Sequence, residues 1–340
     1  MEERIPTIYS RNLSIGYRLK GGKKKIIHTD MSLSLYAGEV TCLLGLNGAG
    51  KSTLLKTLGG FLPPLAGDIY LRGEKLSSYT QHEFALQVGV VLTDRTNAGG
   101  ITVYDLVSLG RYPYTGFFGQ LKKKDHQVIQ ASLQAVGISH KSANYVSELS
   151  DGERQKAMIA KVLAQECPVI LLDEPTAFLD VTSKIETMVL LRELARKHKK
   201  TILLSTHDLE QAIQMADCLW LQSPQRPLLC GAPEDLILAG ELGTFFEKGK
   251  IRFDLSTGKI HLKETKRPVG ITGSPLITYW VSNALQRNGY FPGPVQPGQM
   301  AINCVSSHEL EIIHTSGSKK TVGSIEALMN YIKNLPDTTY

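Results

Sequence analysis

Long apolar runs are what this chain of 340 residues most plainly lacks. No window holds the roughly 18 uninterrupted apolar residues of a spanning helix, so any membrane role is expected to be peripheral. Met1-Glu2-Glu3-Arg4 carries no apolar signal core, and no leader is expected. Cysteine is sparse: Cys42, Cys167, Cys218, Cys230 and Cys304 are odd in number and contain no Cys-x-x-Cys pair. That pattern points to reduced thiols of a cytosolic compartment and argues against a zinc site. A strong charge bias is missing too, since the net charge is only +6. The lysines that are clustered, Lys23–Lys25 and Lys122–Lys124, read as solvated loops or as segments near anionic lipid, and they are not the footprint of a nucleic-acid partner. Length is not scarce. A chain of 340 residues is long for one domain, so two are expected.

What is present is organised around Gly45-Leu46-Asn47-Gly48-Ala49-Gly50-Lys51-Ser52-Thr53, between the apolar run Val40–Leu44 and the helical pattern Leu54–Leu58. Glycines in such a loop let successive backbone N–H groups face one anion, and the following helix adds the positive end of its dipole. Strand, loop and helix in that order predict a phosphate-binding loop. Lys51 is expected to reach β- and γ-phosphates, and the Ser52 hydroxyl to ligate Mg²⁺.

Upstream, residues 7–13 and 31–36 alternate apolar and polar around a hairpin tip at Gly21-Gly22, which predicts β structure. Tyr17 reads either as a half-buried strand residue or as an aromatic that stacks on adenine. Downstream, Gly67–Gly73 predicts a short strand and Gly89–Leu92 a buried central one. A polar loop from Thr93 follows. The pattern is helical from Thr102 to about Ser147, with a break at Gly110-Arg111-Tyr112-Pro113-Tyr114.

Leu149-Ser150-Asp151-Gly152-Glu153 opens a second helix whose first residues are good caps, so it too presents an N-terminus to an anion. The apolar strand Val169–Leu172 then ends in Asp173 and Glu174. Adjacent side chains on an extended chain point to opposite sides, so the two carboxylates are expected to have different jobs: one on Mg²⁺, the other polarising an attacking water. Asp180 follows, and the strand Thr201–Thr206 ends at His207, within reach of a γ-phosphate or that water.

In this order the parts resemble the nucleotide-binding subunit of ATP-binding cassette (ABC) transporters over residues 1 to about 240. The resemblance implies an α/β fold: a P-loop NTPase cassette with an N-terminal antiparallel β subdomain and a helical subdomain at about 94–160. It implies that Tyr17 stacks on the base, Gly45 to Thr53 form the Walker A loop, and Ser150, Asp151, Gly152 and Glu153 belong to the signature. Asp173 supports Mg²⁺, Glu174 is the general base, Asp180 is the D-loop aspartate and His207 the switch histidine. It also implies a head-to-tail homodimer in which ATP lies between one copy's loop and the other's signature helix, docked on permease subunits at the cytoplasmic face of the membrane.

The signature departs from the family's usual Ser-Gly-Gly-Gln, and Thr93 stands where the family has a Q-loop glutamine. Gly100-Ile101-Thr102-Val103 with Gly110–Tyr114 looks like the importer subgroup for iron-siderophores, haem or cobalamin. A soluble ABC protein acting as a switch or assembly factor without a permease is the other reading, and Ile101–Tyr114 favours transport over it. Beyond residue 244 the resemblance fades into a small α/β appendage, residues 245–340. Strands are expected at 250–254, 259–262, 269–272, 301–305 and 309–314, and helices at 275–287 and 324–334. No G-x-G-x-x-G accompanies Gly270 and Gly273, and His261, His308 and His314 have no metal-ligand spacing.

Overall fold

The computed structural model describes residues 4–92, 100–177, 179–224, 226–246, 251–254, 258–262 and 267–335. Thr93, the expected Q-loop position, lies outside the described residues.

Alternation in the first thirty residues produces β1 (Ile8–Arg18), which pairs antiparallel with β2 (Lys24–Met31) and β3 (Ser34–Leu35). The turn between β1 and β2 has Gly21 and Gly22 at positive φ. β2 starts earlier than the sequence pattern suggests, so Lys24 and Lys25 are exposed strand residues rather than loop residues. Next come β4 (Val40–Gly45), the loop and α1 (Lys51–Leu58). β5 (Ala66–Leu71) and β6 (Glu74–Lys75) then complete the first sheet, in the order β2-β1-β5-β6 with β3 on β1.

After α2 (Gln81–Ala85) and β7 (Val88–Val91), the helical block is α3 (Val103–Ser108), α4 (Lys123–Ala135) and α5 (Asp151–Ala164). The chain returns through β8 (Val169–Leu172), α6 (Val181–His198), β9 (Thr201–Thr206), α7 (Leu209–Met215), β10 (Cys218–Ser223) and β11 (Arg226–Gly231). The second sheet runs β11-β10-β4-β9-β8-β7, parallel throughout except for the β10–β11 hairpin. Its central strands are buried on both faces, which is why they read as unbroken apolar runs. Leu43, Leu171 and Leu203 pack on one face with Leu54 and Leu55 of α1. Leu44, Leu172 and Leu204 pack on the other, with α5 and α6. Because the strands are parallel, the ends of β4, β8 and β9 open at the same edge, where α/β sheets hold their ligands.

The helical block is pinned by a residue that the sequence pattern treats as part of a turn. Arg111 is 2% exposed in the 3-10 segment Leu109–Tyr114. Its Nε donates to Asp125 Oδ1 at 2.9 Å, and its Nη1 to Ala164 O at 2.7 Å and Glu166 Oε2 at 2.6 Å. The Lys122 backbone N–H and the Arg111 guanidinium hold the Asp125 carboxyl below the usual carboxylate range, against burial. Lys122 therefore stands at the N-cap of α4, and Lys123 and Lys124 lie in its first turn. Removing one partner of such a buried ion pair costs about 3–5 kcal/mol.

α8 (Pro233–Leu238) and α9 (Glu241–Phe246) complete the first of two compact units, which also takes back Phe253–Lys259. The short strands β12 (Ile251–Asp254) and β13 (Lys259–Leu262) pair with each other. The second unit contains β14 (Arg267–Gly273), α10 (Pro275–Arg287), β15 (Tyr290–Gly293), β16 (Ala301–Ser306), β17 (Glu309–Ile313), β18 (Lys319–Val322) and α11 (Ile325–Lys333). Its sheet order is β15-β14-β16-β17-β18, and its core joins Val269, Ile302 and Leu310 to Val281, Leu285 and Leu328. β15 and β18 are additions to the elements that the sequence pattern predicts.

Candidate active site

The loop leaves β4 at Gly45 and enters α1 through Gly50, whose φ of +99° a β-carbon would strain. A β-carbon on Gly50 would also sit 2.3 Å from Ile27 Cγ2, so the loop and β2 pack at a distance only glycine allows. No side chain caps α1. Lys51, 6% exposed, folds back and donates to Gly45 O at 2.8 Å. Burial lowers its pKa, while the charges of Glu174 and Asp173 work the other way. Those carboxylates are therefore near the lysine although more than a hundred residues separate them in sequence. Ser52, Leu46, Asn47 and Gly48 are exposed and Ala49 is buried.

Asp173 and Glu174 follow β8 and are joined to β9 through Ser205. Ser205 Oγ donates to Asp173 Oδ1 at 2.6 Å and accepts the Glu174 N–H at 2.9 Å. Glu174 has a φ of +47°, so the chain turns at this residue. Strand alternation therefore does not extend to Glu174, whose left-handed backbone costs about 1–3 kcal/mol. Glu174 Oε2 lies 3.5 Å from His207 Nδ1. Tyr17, at the end of β1, bonds Thr53 through its hydroxyl, with 3.0 Å between the oxygens. Ring and loop are thereby coupled.

Ser150–Glu153 form a separate cluster. Ser150 Oγ accepts the Glu153 N–H at 3.2 Å, while the Ser150 N–H donates to Glu153 Oε2 at 2.9 Å, a reciprocal capping box. The Ser150 backbone and hydroxyl, with Lys141, hold the Glu153 carboxyl below its usual range. Asp151 pairs with Arg154 at 3.1 Å. Gly152 faces Ser183 of α6, and Ser183 is bound by the N-cap Asp180 at 2.9 Å. The bonds to Ser183 lower the Asp180 pKa.

The structure therefore brings Tyr17, the loop, Asp173, Glu174 and His207 to one edge of the sheet, and sets Ser150–Glu153 beside the Asp180 turn. Sequence reasoning missed Ser205. A polar residue buried within the apolar strand Thr201–Thr206, two positions before His207, was the signal available.

Among proteins of known sequence, the pattern described as ABC transporter matches residues 28–177, and that of the iron ABC transporter C-terminal domain matches residues 266–333. An uncharacterized ABC transporter ATP-binding protein of Methanocaldococcus jannaschii is 37% identical over 284 residues, covering 81% of this chain and 96% of that protein. The ferric enterobactin transport ATP-binding protein of Escherichia coli is 36% identical over 239 residues, 70% of this chain and 86% of that protein. CbiO1 of Clostridium perfringens, part of the CbiONQ ABC transporter complex, superposes with a TM-score of 0.60 at 28% identity, over 70% of this chain and 93% of that chain.

Proposed function

This chain belongs to the ATP-binding proteins of ABC transporters, and we propose that it is the ATP-hydrolysing subunit of a membrane importer for an iron-siderophore, haem or cobalamin. The relative named for ferric enterobactin transport and the iron-transporter match over residues 266–333 support that cargo class. In this reading residues 1–244 are the cassette and 245–340 an α/β appendage.

The observation that carries the chemistry is the 3.5 Å approach of His207 to Glu174 at the strand edge that also holds Lys51. When phosphates enter the loop, Lys51 exchanges Gly45 O for phosphate oxygens, and the open N–H groups of α1 bind the same anion. Glu174 orients and deprotonates the attacking water, and His207 hydrogen-bonds that water or the γ-phosphate. Tyr17 stacks on the base.

For Mg²⁺, the donors suit a hard cation: the exposed Ser52 hydroxyl and the Asp173 carboxylate, oriented by Ser205. Among the described residues no group of three or more His, Cys, Asp or Glu could hold a metal. In this reading the ion is held by one or two protein oxygens together with phosphates and water. Bound with ATP, Mg²⁺ neutralises charge on the phosphates.

A second copy supplies Ser150–Glu153 in trans, with Asp180 at the junction, so ATP joins two chains head to tail. The permease docks on the helical block. Tyr112, Phe117 and Phe118 are 77%, 99% and 85% exposed, an apolar set that calls for a partner. His82 Nε2, 2.8 Å from Pro113 O, ties that segment to α2, whose Phe84 lines a cavity of about 340 Å³ with Leu62 and Pro63. No helix among the described residues is long and apolar enough to cross a membrane; in this reading the chain attaches through the permease subunits.

Glu174→Gln tests the chemistry: turnover should fall by about 10²–10⁴-fold while ATP still binds and an ATP-bound dimer accumulates in size-exclusion chromatography. Near-normal turnover overturns Glu174 as the base. Co-purification with a polytopic membrane subunit, and uptake of labelled ferric siderophore, haem or cobalamin by the reconstituted pair, test the transport assignment.

A further inference from the structure

Behind the phosphate loop lies a polar pair that the hydrolytic mechanism does not use. Gln222, near the end of β10, is 0% exposed, and neither its amide oxygen nor its amide nitrogen has a hydrogen-bond partner. It stands in register with Gly45 on the neighbouring strand. A β-carbon on Gly45 would sit 2.5 Å from the Gln222 carbonyl oxygen, and one on Gly50 would sit 3.2 Å from the Gln222 amide nitrogen. The backbone of Gln222 therefore abuts the start of the loop and its side chain abuts the end. His28 of β2 is 6% exposed and its ring already hydrogen-bonds the Ala49 backbone, but its Nε2 has no partner, so only part of its capacity is met.

Buried amides and imidazoles are nearly always satisfied, because an unmet group keeps the full penalty of leaving water. The Gln222 amide and the apolar Ile27 side chain flank the same Gly50 position, so an apolar side chain at 222 could keep that packing without an unmet amide. The loop touches Gln222 at Gly45 and Gly50 and His28 at Ala49, and no side chain caps the helix that follows it. Lys51 gives up Gly45 O when it turns to phosphate.

We propose that Gln222 and His28 are positioning residues whose hydrogen bonds to the loop peptides are completed only in the phosphate-bound loop. Their unmet capacity destabilises the nucleotide-free protein and is recovered on binding, so the two residues strengthen nucleotide affinity without touching nucleotide. The inference rests on ATP binding by the loop and not on the identity of the cargo.

The test uses the full chain and two readouts that a merely structural role would move together. Gln222→Leu should raise the melting temperature of the nucleotide-free protein, yet weaken binding of a non-hydrolysable ATP analogue by about tenfold in calorimetry. Pyrophosphate, which has no base for Tyr17, should lose affinity by a similar factor. His28→Phe should repeat both signs with a smaller loss. Gln222→Met, closer in shape, serves if the leucine variant fails to fold. Unchanged affinity in the folded variants overturns the proposal, and so does a parallel fall of melting temperature and affinity, which would mean the pair is already satisfied in the resting protein.

Discussion

The two helix N-termini that the sequence offers to an anion differ in how they are finished. α1 begins at Gly50 with no side-chain cap, so its first N–H groups have only a ligand or solvent to serve. α5 begins at Ser150, where Ser150 and Glu153 satisfy each other and the Ser150 hydroxyl donates to Glu153 Oε2 at 3.0 Å. The uncapped end is prepared for phosphate within one chain. The capped end is self-sufficient until a second chain arrives, and it then has to release a hydroxyl proton from a carboxylate that repels phosphate. The usual glutamine carries no such charge. The difference suggests that binding of nucleotide and closure of the dimer are controlled by separate devices, and each can be broken alone.

The largest effect is expected at α1. Gly50→Ala forces a β-carbon into a left-handed position and onto Ile27, and should abolish measurable ATP binding by the isolated chain, a loss of at least about 100-fold by calorimetry. Retained affinity would show that the loop does not need this geometry. Ser150→Ala is next. It removes a cap worth about 1 kcal/mol of stability and should cut turnover, while ATP affinity of the monomer stays unchanged. A matching loss of monomer affinity would mean that the signature acts in cis.

The smallest effect is expected from Glu153→Gln, which removes charge beside the incoming phosphate and should favour ATP-driven dimerisation by a few-fold in analytical ultracentrifugation. The same substitution reports on pH. Because the folded pKa of Glu153 is depressed, its contribution to stability is present above the ordinary glutamate pKa and is lost as pH falls through the folded value. The glutamine variant should flatten the acid side of the melting profile, and an unchanged profile would show that the Glu153 carboxylate contributes no charge-dependent stability.

Much of this was legible in the residues. β4, β8 and β9 announce themselves as buried runs because both of their faces are covered, and the glycines and lysine between Gly45 and Lys51 leave little choice about their chemistry. The second unit was legible as alternating strands and amphipathic helices, but not its edge strands: β15 and β18 are four residues each and offer too little pattern to register.

By itself, then, the sequence determined the local devices: the loop, the capped helix, the carboxylates at a strand end, the histidine after the next strand. Periodicity and turn chemistry act over a few residues, so they can be read there. Only the tertiary structure decided how these meet. Arg111 had to find Asp125, Ala164 and Glu166 across the helical block, and Ser205 had to bridge Asp173 and Glu174 from the adjacent strand. Gln222 and His28 had to converge under the loop from opposite ends of the first unit's sequence. These are contacts between residues far apart in the chain, fixed by parallel register and burial, and no local pattern encodes them.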